Sequence, residues 1–155
     1  MANDLPEVPA LRPPHTMPAF VGALVGALLR SPLHRLMSGS VMLISVTGRK
    51  TGRAYTIPLS YTREGDMVTA CTSVTNVWPK NLAGGAPARL LLRGAWRPAV
   101  AEPVVPGEED LGWYLRRVPR DAKYHRVRLD RLGRPDPGDL ELAAREQLMI
   151  RARLV

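Results

Sequence analysis

The segment 41–62 (VMLISVTGRKTGRAYTIPLSYT) predicts two β-strands joined by a short turn. Residues 41–46 form an almost unbroken apolar run, which is typical of a buried strand. In residues 55–62 apolar and polar side chains alternate, as they do in a strand that buries one face. Gly48 and Gly52 give the backbone between the strands the freedom to turn. This segment therefore predicts a β-hairpin and favours a fold built on antiparallel strands.

The predicted turn carries three cations, Arg49, Lys50 and Arg53. Neighbouring like charges repel one another, so an anion that bridges them would stabilise the turn. The segment is not a P-loop, because it lacks the pattern GxxxxGK[ST] and Lys50 precedes the second glycine. On the residues alone, two interpretations stay open: a solvated basic hairpin tip and an anion-binding site.

Length and composition limit the class of protein. The chain has 155 residues, which is typical of one domain, and its formal net charge of +8 favours an anionic ligand, a nucleic acid or an acidic lipid surface. Aromatic residues are scarce, so a stacking platform for single-stranded nucleic acid is not expected. Cys71 is the only cysteine and the three His are scattered, so we expect no intrachain disulfide and no metal site. These features fit a cytoplasmic protein.

The N-terminal region divides into two parts. Residues 1–16 are polar and proline-rich and are predicted to be a disordered tail, which leaves 17–155 as the folded domain. Residues 17–29 are apolar on nearly all sides and predict a helix too short to span a bilayer. This helix is expected to cover the core or to form a homodimer interface. The alternative is a peripheral membrane contact through residues 17–37.

The rest of the chain predicts short strands and few helices. Further strands are expected at 67–72, 89–92, 96–104 and 148–154, and helices beginning near 108 and 137. Pro98 and Pro103 favour an edge position for the strand 96–104, because proline lacks the N–H that a central strand donates. The pattern predicts an α+β protein with a small, mostly antiparallel β-barrel of five or six strands and peripheral helices.

No hydrolytic constellation is visible. Ser45, Ser60 and Ser73 have no GxSxG context, and His125 has no recognisable acid partner. The chain therefore looks like a protein that binds and orients a cofactor, which carries the reactivity.

Three motifs together resemble one known family. They are the turn TGRKTGR, the strand ending in PLSY, and the downstream pattern WxxNL at Trp78, Asn81 and Leu82. This combination resembles the deazaflavin-dependent nitroreductase family over residues 41–105. The resemblance implies a split β-barrel related to the FMN-binding oxidase barrels, with about six strands and an N-terminal helix. It also implies coenzyme F420 as cofactor and hydride transfer from the reduced deazaflavin to a quinone, nitroaromatic or enone-type acceptor.

The resemblance also implies a set of site residues. Cations of the basic turn would bind the phosphate and the polyglutamate tail of F420, and the strand 57–60 would lie against the ring. The residues expected to bind the cofactor are Arg49, Lys50, Arg53, Ile57, Pro58, Leu59, Ser60, Thr72, Ser73, Trp78, Lys80 and Asn81. Candidate substrate contacts are Ser60, Ser73, Tyr114 and Tyr124, and no catalytic residue is assigned.

Several of these positions have structural alternatives. Pro58 could mark a strand that leaves its pairing to face a ligand or only a bulge. Trp78 could be a core residue and Asn81 a cap, and Tyr114 fits the apolar stripe of a helix equally well. The loop before Trp78 is shorter than the family pattern, and Ser60 stands where better-known members have an aromatic residue that faces the substrate.

Two other functions are alternatives to the F420 enzyme. A split barrel could instead bind FMN, haem or another tetrapyrrole, since FMN also offers a phosphate to the basic turn. A third class is a nucleic-acid-binding module that uses the basic segment 116–134, although the chain lacks a recognition-helix motif.

Overall fold

The computed structural model describes Ala27 and residues 39–155. Its strands are β1 (Val41–Thr47), β2 (Ala54–Ser60), β3 (Thr62–Glu64), β4 (Met67–Ser73), β5 (Ala86–Leu92), β6 (Ala95–Val104) and β7 (Gln147–Leu154). The α-helices are α1 (Glu108–Arg117) and α2 (Pro137–Glu146), and the segments Trp78–Leu82 and Pro119–Ala122 form short 3₁₀ helices. In this part of the chain the seven strands form one sheet in the order β2-β1-β5-β6-β7-β4-β3, and all the neighbouring pairs are antiparallel.

The sheet curls into a half-barrel because its two edge strands, β2 and β3, follow one another in the chain. β2 and β3 lie at opposite ends of the strand order, yet only Tyr61 separates them along the chain. The Tyr61 backbone N–H donates to the Ser40 carbonyl at 3.2 Å and so extends the β1–β2 pairing by one residue. The predicted α+β split barrel is confirmed. Residues 39–155 form seven strands rather than about six, because the chain changes partner at Tyr61 and the expected strand 55–62 becomes β2 and β3.

Alternating side chains divide the core into two parts. The concave face of the sheet buries an apolar interior that includes Ile44, Leu90 and Ile150, all fully buried. The opposite face of β4 and β7 carries Cys71 and Met149, against which the helices pack with residues such as Leu111, Leu115 and Ala143. The helices α1 and α2 therefore lie on the outside of the half-barrel, on β4 and β7.

The expected edge position of residues 96–104 is wrong, since β6 pairs with β5 on one side and β7 on the other. The two prolines are tolerated because the neighbouring strands end beside them. Pro103 lies beyond the last β5 partner, where Ala101 pairs with Ala86. The Pro98 carbonyl accepts from Val155, which lies just beyond the end of β7 at Leu154. Each proline therefore removes a hydrogen bond only where the ladder is already ending.

The predictions for the N-terminal region fall outside the described residues, apart from Ala27, which is helical and exposed. They are the disordered tail 1–16 and the helix with its membrane or dimer contact at 17–37. In the part of the chain that the structure describes, no helix has both the length and the apolar character required to span a bilayer.

Candidate functional site

The basic turn is a compact loop closed by its own backbone. The Gly48 N–H donates to the Arg53 carbonyl at 2.8 Å, and the Gly52 N–H donates to the Gly48 carbonyl at 2.9 Å. Gly52 has φ of 67°, a left-handed conformation that favours glycine. A Cβ atom on Gly48 would lie 2.7 Å from both the Thr51 hydroxyl and the Tyr55 ring, so glycine is required there by close approach. The two glycines thus fix the shape of the turn.

This turn docks on the 3₁₀ helix Trp78–Leu82. The Arg49 backbone N–H donates to Asn81 Oδ1 at 3.0 Å, and the Arg49 guanidinium donates to the Ala83 carbonyl. The Asn81 amide in turn donates to the Trp78 carbonyl at 3.1 Å. Two of the three motifs found in the sequence are therefore in direct contact, and Asn81 is the residue that joins them.

The joined elements present cations that form no ion pair with a carboxylate among residues 39–155. Lys50, Arg53 and Lys80 are exposed, and Arg49 keeps its remaining guanidinium N–H groups after bonding to Ala83. Residues 41–63 and 67–101 contain no Asp or Glu. The turn and the 3₁₀ helix together therefore form a positive surface, and an anion is the ligand that this donor set suits.

β2 leads away from this surface as an edge strand. Its register with β1 is continuous from Ala54 to Ser60, so Pro58 does not mark a bulge. The Gly48–Arg53 hydrogen bond sets the alternation of the ladder and makes Leu43–Pro58 a non-hydrogen-bonded pair. The proline nitrogen thus points away from β1, toward the open edge, where no ladder bond is lost.

The end of β4 lies at the same end of the half-barrel as the basic turn. β3 continues the direction of β2, and β4 runs antiparallel to β3, so Thr72 and Ser73 return toward the start of β2. The Thr72 hydroxyl accepts from the Asn76 amide at 2.7 Å, and the hydroxyls of Ser73 and Thr75 lie 2.8 Å apart. This short ordered loop leads directly into the 3₁₀ helix that carries Asn81.

A family model described as F420H(2)-dependent quinone reductase matches residues 14–135. The chain belongs to this family. It is therefore an F420-dependent oxidoreductase, and its cofactor is coenzyme F420. The resemblance drawn from the TGRKTGR, PLSY and WxxNL motifs is confirmed at this level.

Comparison with known proteins adds the following similarities. A comparison with curated protein sequences gives no match. Among solved structures, a Bacteroides thetaiotaomicron VPI-5482 protein named for 5-nitroimidazole antibiotic resistance is 10% identical, with TM-score 0.49 and coverage of 78% of this chain and 76% of the other. An FAD and heme binding protein from Mycobacterium smegmatis is 19% identical, with TM-score 0.44 and coverage of 81% and 67%. A structure named F420 reductase is 10% identical, with TM-score 0.43 and coverage of 83% and 91%.

The donor set of this F420-dependent oxidoreductase fits an anionic cofactor. Exposed cations stand on the basic turn and on the adjoining 3₁₀ helix, and the open edge of β2 begins beside them. Trp78 is only partly buried and packs against the interior core, so the core interpretation applies to much of its side chain. Asn81 bonds to the Trp78 carbonyl and to Arg49, which is more than a cap of its own helix.

The two candidate tyrosines have different environments. Tyr114 is fully buried in the outer core, the cluster between the helices α1 and α2 and the outer face of β4 and β7. Its hydroxyl contacts the Ser60 carbonyl at 3.2 Å and Asp121 Oδ2 at 2.7 Å. It therefore occupies the core stripe of α1 instead of a surface that a substrate could contact. Tyr124 is 56% exposed. Ser60 is half-buried at the end of β2 that is farther from the basic turn.

Asp121 and His125 were not identified as a pair from the sequence, because no acid partner for His125 was recognisable there. His125 Nε2 lies 3.9 Å from Asp121 Oδ2, and both residues are buried. Burial lowers the pKa of His125, and the Asp121 charge opposes this shift. Burial, and then the Asp121 charge, raise the pKa of Tyr114 well above its usual value. The signal was the i, i+4 spacing of Asp121 and His125, which is informative only if the segment turns like a helix.

Proposed function

We propose that this F420-dependent oxidoreductase transfers a hydride to a quinone, nitroaromatic or enone-type acceptor. The basic turn and Lys80 bind the phosphate and carboxylates of the cofactor, and the open edge of β2 lies along the ring and the ribityl chain. The observation that carries this proposal is the docking of the turn on the 3₁₀ helix through Arg49 and Asn81. It assembles two sequence motifs into one positive surface beside β2, an edge strand of the sheet that residues 41–154 form.

The cations alone do not provide tight binding. A hydrogen bond to a charged group contributes about 1.5–3 kcal/mol. A few such contacts on an exposed surface, after the cost of association, give an affinity of about millimolar to micromolar. The ring therefore needs contacts of its own. The outward-facing backbone groups of Thr56 and the outward-facing N–H of Ser60 supply these, because both residues belong to the same non-hydrogen-bonded set as Pro58.

The protein contributes positioning and the exclusion of water. Reduced coenzyme F420 supplies a hydride when it is bound. The edge of β2 orients the ring, and the ends of β2 and β4 bring Ser60 and Ser73 to positions where their hydroxyls contact the ring or the acceptor. Ser73 is held by its hydrogen bond with Thr75, which restricts its rotamers. Neutral hydroxyls of this kind bind and orient, and the rate gain comes from a near-attack geometry.

Rapid-mixing kinetics tests the acceptor class. The protein is loaded with reduced F420 and mixed separately with a quinone, a nitroaromatic and an activated enone, while the absorbance of the oxidised deazaflavin is followed. We expect saturable oxidation with at least one acceptor and loss of most of this rate in the Lys50→Ala/Arg53→Ala variant at subsaturating cofactor. If all three acceptors oxidise the cofactor no faster than they do without protein, the proposed acceptor class is wrong.

We further propose that the protein is cytoplasmic, that residues 17–37 make a peripheral membrane contact and that the chain forms a homodimer. No contact of the described residues favours the nucleic-acid-binding alternative.

A further inference from the structure

β2 and β4 separate at one defined point. β3 pairs with β4 through Thr62–Thr69, Arg63–Val68 and Glu64–Met67. The same register continued toward the N terminus would pair Ser60 with Cys71. Ser60 instead pairs with Val41 on β1. The two strands thus form a fork between Tyr61 and Ser60, and the open edge of β2 begins there.

The Tyr114 hydroxyl occupies this fork. It lies 3.2 Å from the Ser60 carbonyl of β2, and Tyr114 packs in the same buried cluster as Cys71 of β4. Tyr114 therefore fills the space between the two backbones, where Ser60 and Cys71 would pair if the β3–β4 register continued. Its side chain is fully buried, which leaves it little freedom to follow a different separation of the strands.

A buried polar network holds Tyr114 in this position. Asp121 Oδ2 lies 2.7 Å from the Tyr114 hydroxyl and 3.9 Å from His125 Nε2. His125 also lies close enough to Gln147 for that amide to influence its pKa, although Gln147 Oε1 is buried without a hydrogen-bond partner among the described residues. Gln147 is the β7 partner of Ser73. The contacts therefore begin at the Ser60 carbonyl and end at His125.

We propose that Tyr114, Asp121 and His125 are positioning residues that fix the width of the fork between β2 and β4, and with it the place of Ser60 beside the cofactor ring. This inference rests on the proposed function, in which the ring lies along β2. The Tyr114 hydroxyl lies between two acceptors, the Ser60 carbonyl and Asp121. The shorter contact, with Asp121, fixes the position of the phenol oxygen, and that oxygen limits how far Ser60 can move toward β4. A misplacement of about 1 Å near a reacting group reduces a rate by up to about 100-fold.

Tyr114→Phe is the direct test, because it removes the hydroxyl and keeps the ring in the core. Asp121→Asn keeps a hydrogen-bonding partner for the phenol, whereas Asp121→Ala removes it. Val127→Ala is the matched control, because Val127 is buried in the same outer core and lies outside the network. Two measurements are made on each variant: amide hydrogen exchange of residues 55–66 in the cofactor-free protein, and kcat together with the Kd of F420.

We expect Tyr114→Phe to speed hydrogen exchange in 55–66 by about tenfold and to lower kcat by about tenfold, while Kd changes less than about twofold. Asp121→Ala should behave similarly, and Asp121→Asn should recover most of both effects. Val127→Ala should leave both readouts near wild type. Exchange in Tyr114→Phe that matches Val127→Ala would overturn the proposal. If the wild type does not oxidise reduced F420, the proposed function fails, and the exchange data still decide whether Tyr114 holds the fork.

Discussion

The backbone N–H of Arg49 donates to Asn81 Oδ1 at 3.0 Å, although the two residues are 32 positions apart in the chain. Arg49 lies on the turn between β1 and β2, and Asn81 lies on the 3₁₀ helix Trp78–Leu82. The contact makes one surface from two motifs. It also explains why an asparagine serves at this position, since its amide oxygen accepts from Arg49 while its amide nitrogen donates to Trp78.

Asn81→Ala should weaken F420 binding by about fivefold, because the loss of a hydrogen bond worth about 1 kcal/mol frees the turn from the 3₁₀ helix. Fluorescence titration with oxidised F420 at low and high salt measures this. Lys80→Ala is the comparison, since it removes a charge from the same helix and keeps the Arg49 contact. The Asn81 effect should persist at high salt and the Lys80 effect should diminish. Equal salt dependence would contradict a structural role for Asn81.

The sequence indicated both motifs of this surface but not their contact. The apolar run of β1 and the glycines of the turn predicted the hairpin from local pattern alone. The contact of Arg49 with Asn81 depends on where the 3₁₀ helix is carried by β4 and on how far the sheet curls. These are properties of long-range pairing, and no local pattern of residues encodes them.

Gly48→Ala should destabilise the protein and loosen the basic turn. An added Cβ would lie 2.7 Å from the Thr51 hydroxyl and from the Tyr55 ring, so one of these side chains must move. We expect a loss of about 1–3 kcal/mol in the free energy of unfolding, together with weaker F420 binding. Chemical denaturation measures the first effect. Gly39→Ala is the control, because a Cβ there meets nothing within 4 Å, and a similar loss in that variant would refute the steric explanation.

The stability of the protein should fall as the pH is lowered below about 6.5, through His125. Burial lowers the pKa of His125 in the folded state. As the pH falls, the unfolded chain therefore takes up this proton before the folded protein does, and proton binding stabilises the unfolded state. The stabilisation is complete above the unfolded pKa and is lost as the pH falls toward the folded pKa. The groups that face the imidazole ring of His125 are Asp121, Tyr114 and Gln147.

Denaturation midpoints of the wild type and of His125→Asn, measured between pH 8 and pH 5, check this expectation. The wild type should lose more stability than the variant over this range, because the variant has no proton to bind at that position. Parallel pH profiles would show that His125 does not contribute.

Cys71 should react slowly with thiol reagents in the folded protein. It is buried, and burial, followed by the Asp121 charge, raises its pKa well above the usual value, so the reactive thiolate is scarce. Labelling with a maleimide should be at least about 100-fold slower in the native state than in denaturant. Rapid labelling of native protein would show that the helices do not cover the outer face of β4.

Local sequence reasoning also failed to predict the central position of β6 and the partner of His125. Pro98 and Pro103 predicted an edge strand, but β6 is central because the neighbouring strands end beside both prolines. His125 was assigned no partner because residues 119–125 show no helical periodicity, although the chain turns tightly there and brings Asp121 beside it. In both cases the residue types were interpreted correctly and the deciding information was the length or path of a neighbouring segment.

Fluorescence titration with oxidised F420 tests most directly whether the basic turn binds the cofactor. Three proteins are compared: the wild type, Lys50→Ala/Arg53→Ala, and Arg93→Ala/Arg97→Ala, which removes the same charge from the β5–β6 hairpin at the opposite end of β1. We expect saturable binding by the wild type, a Kd about 10- to 100-fold higher for the turn variant, and a change below about threefold for the control. Absence of saturable binding by the wild type, or equal weakening in the two double variants, would contradict this account.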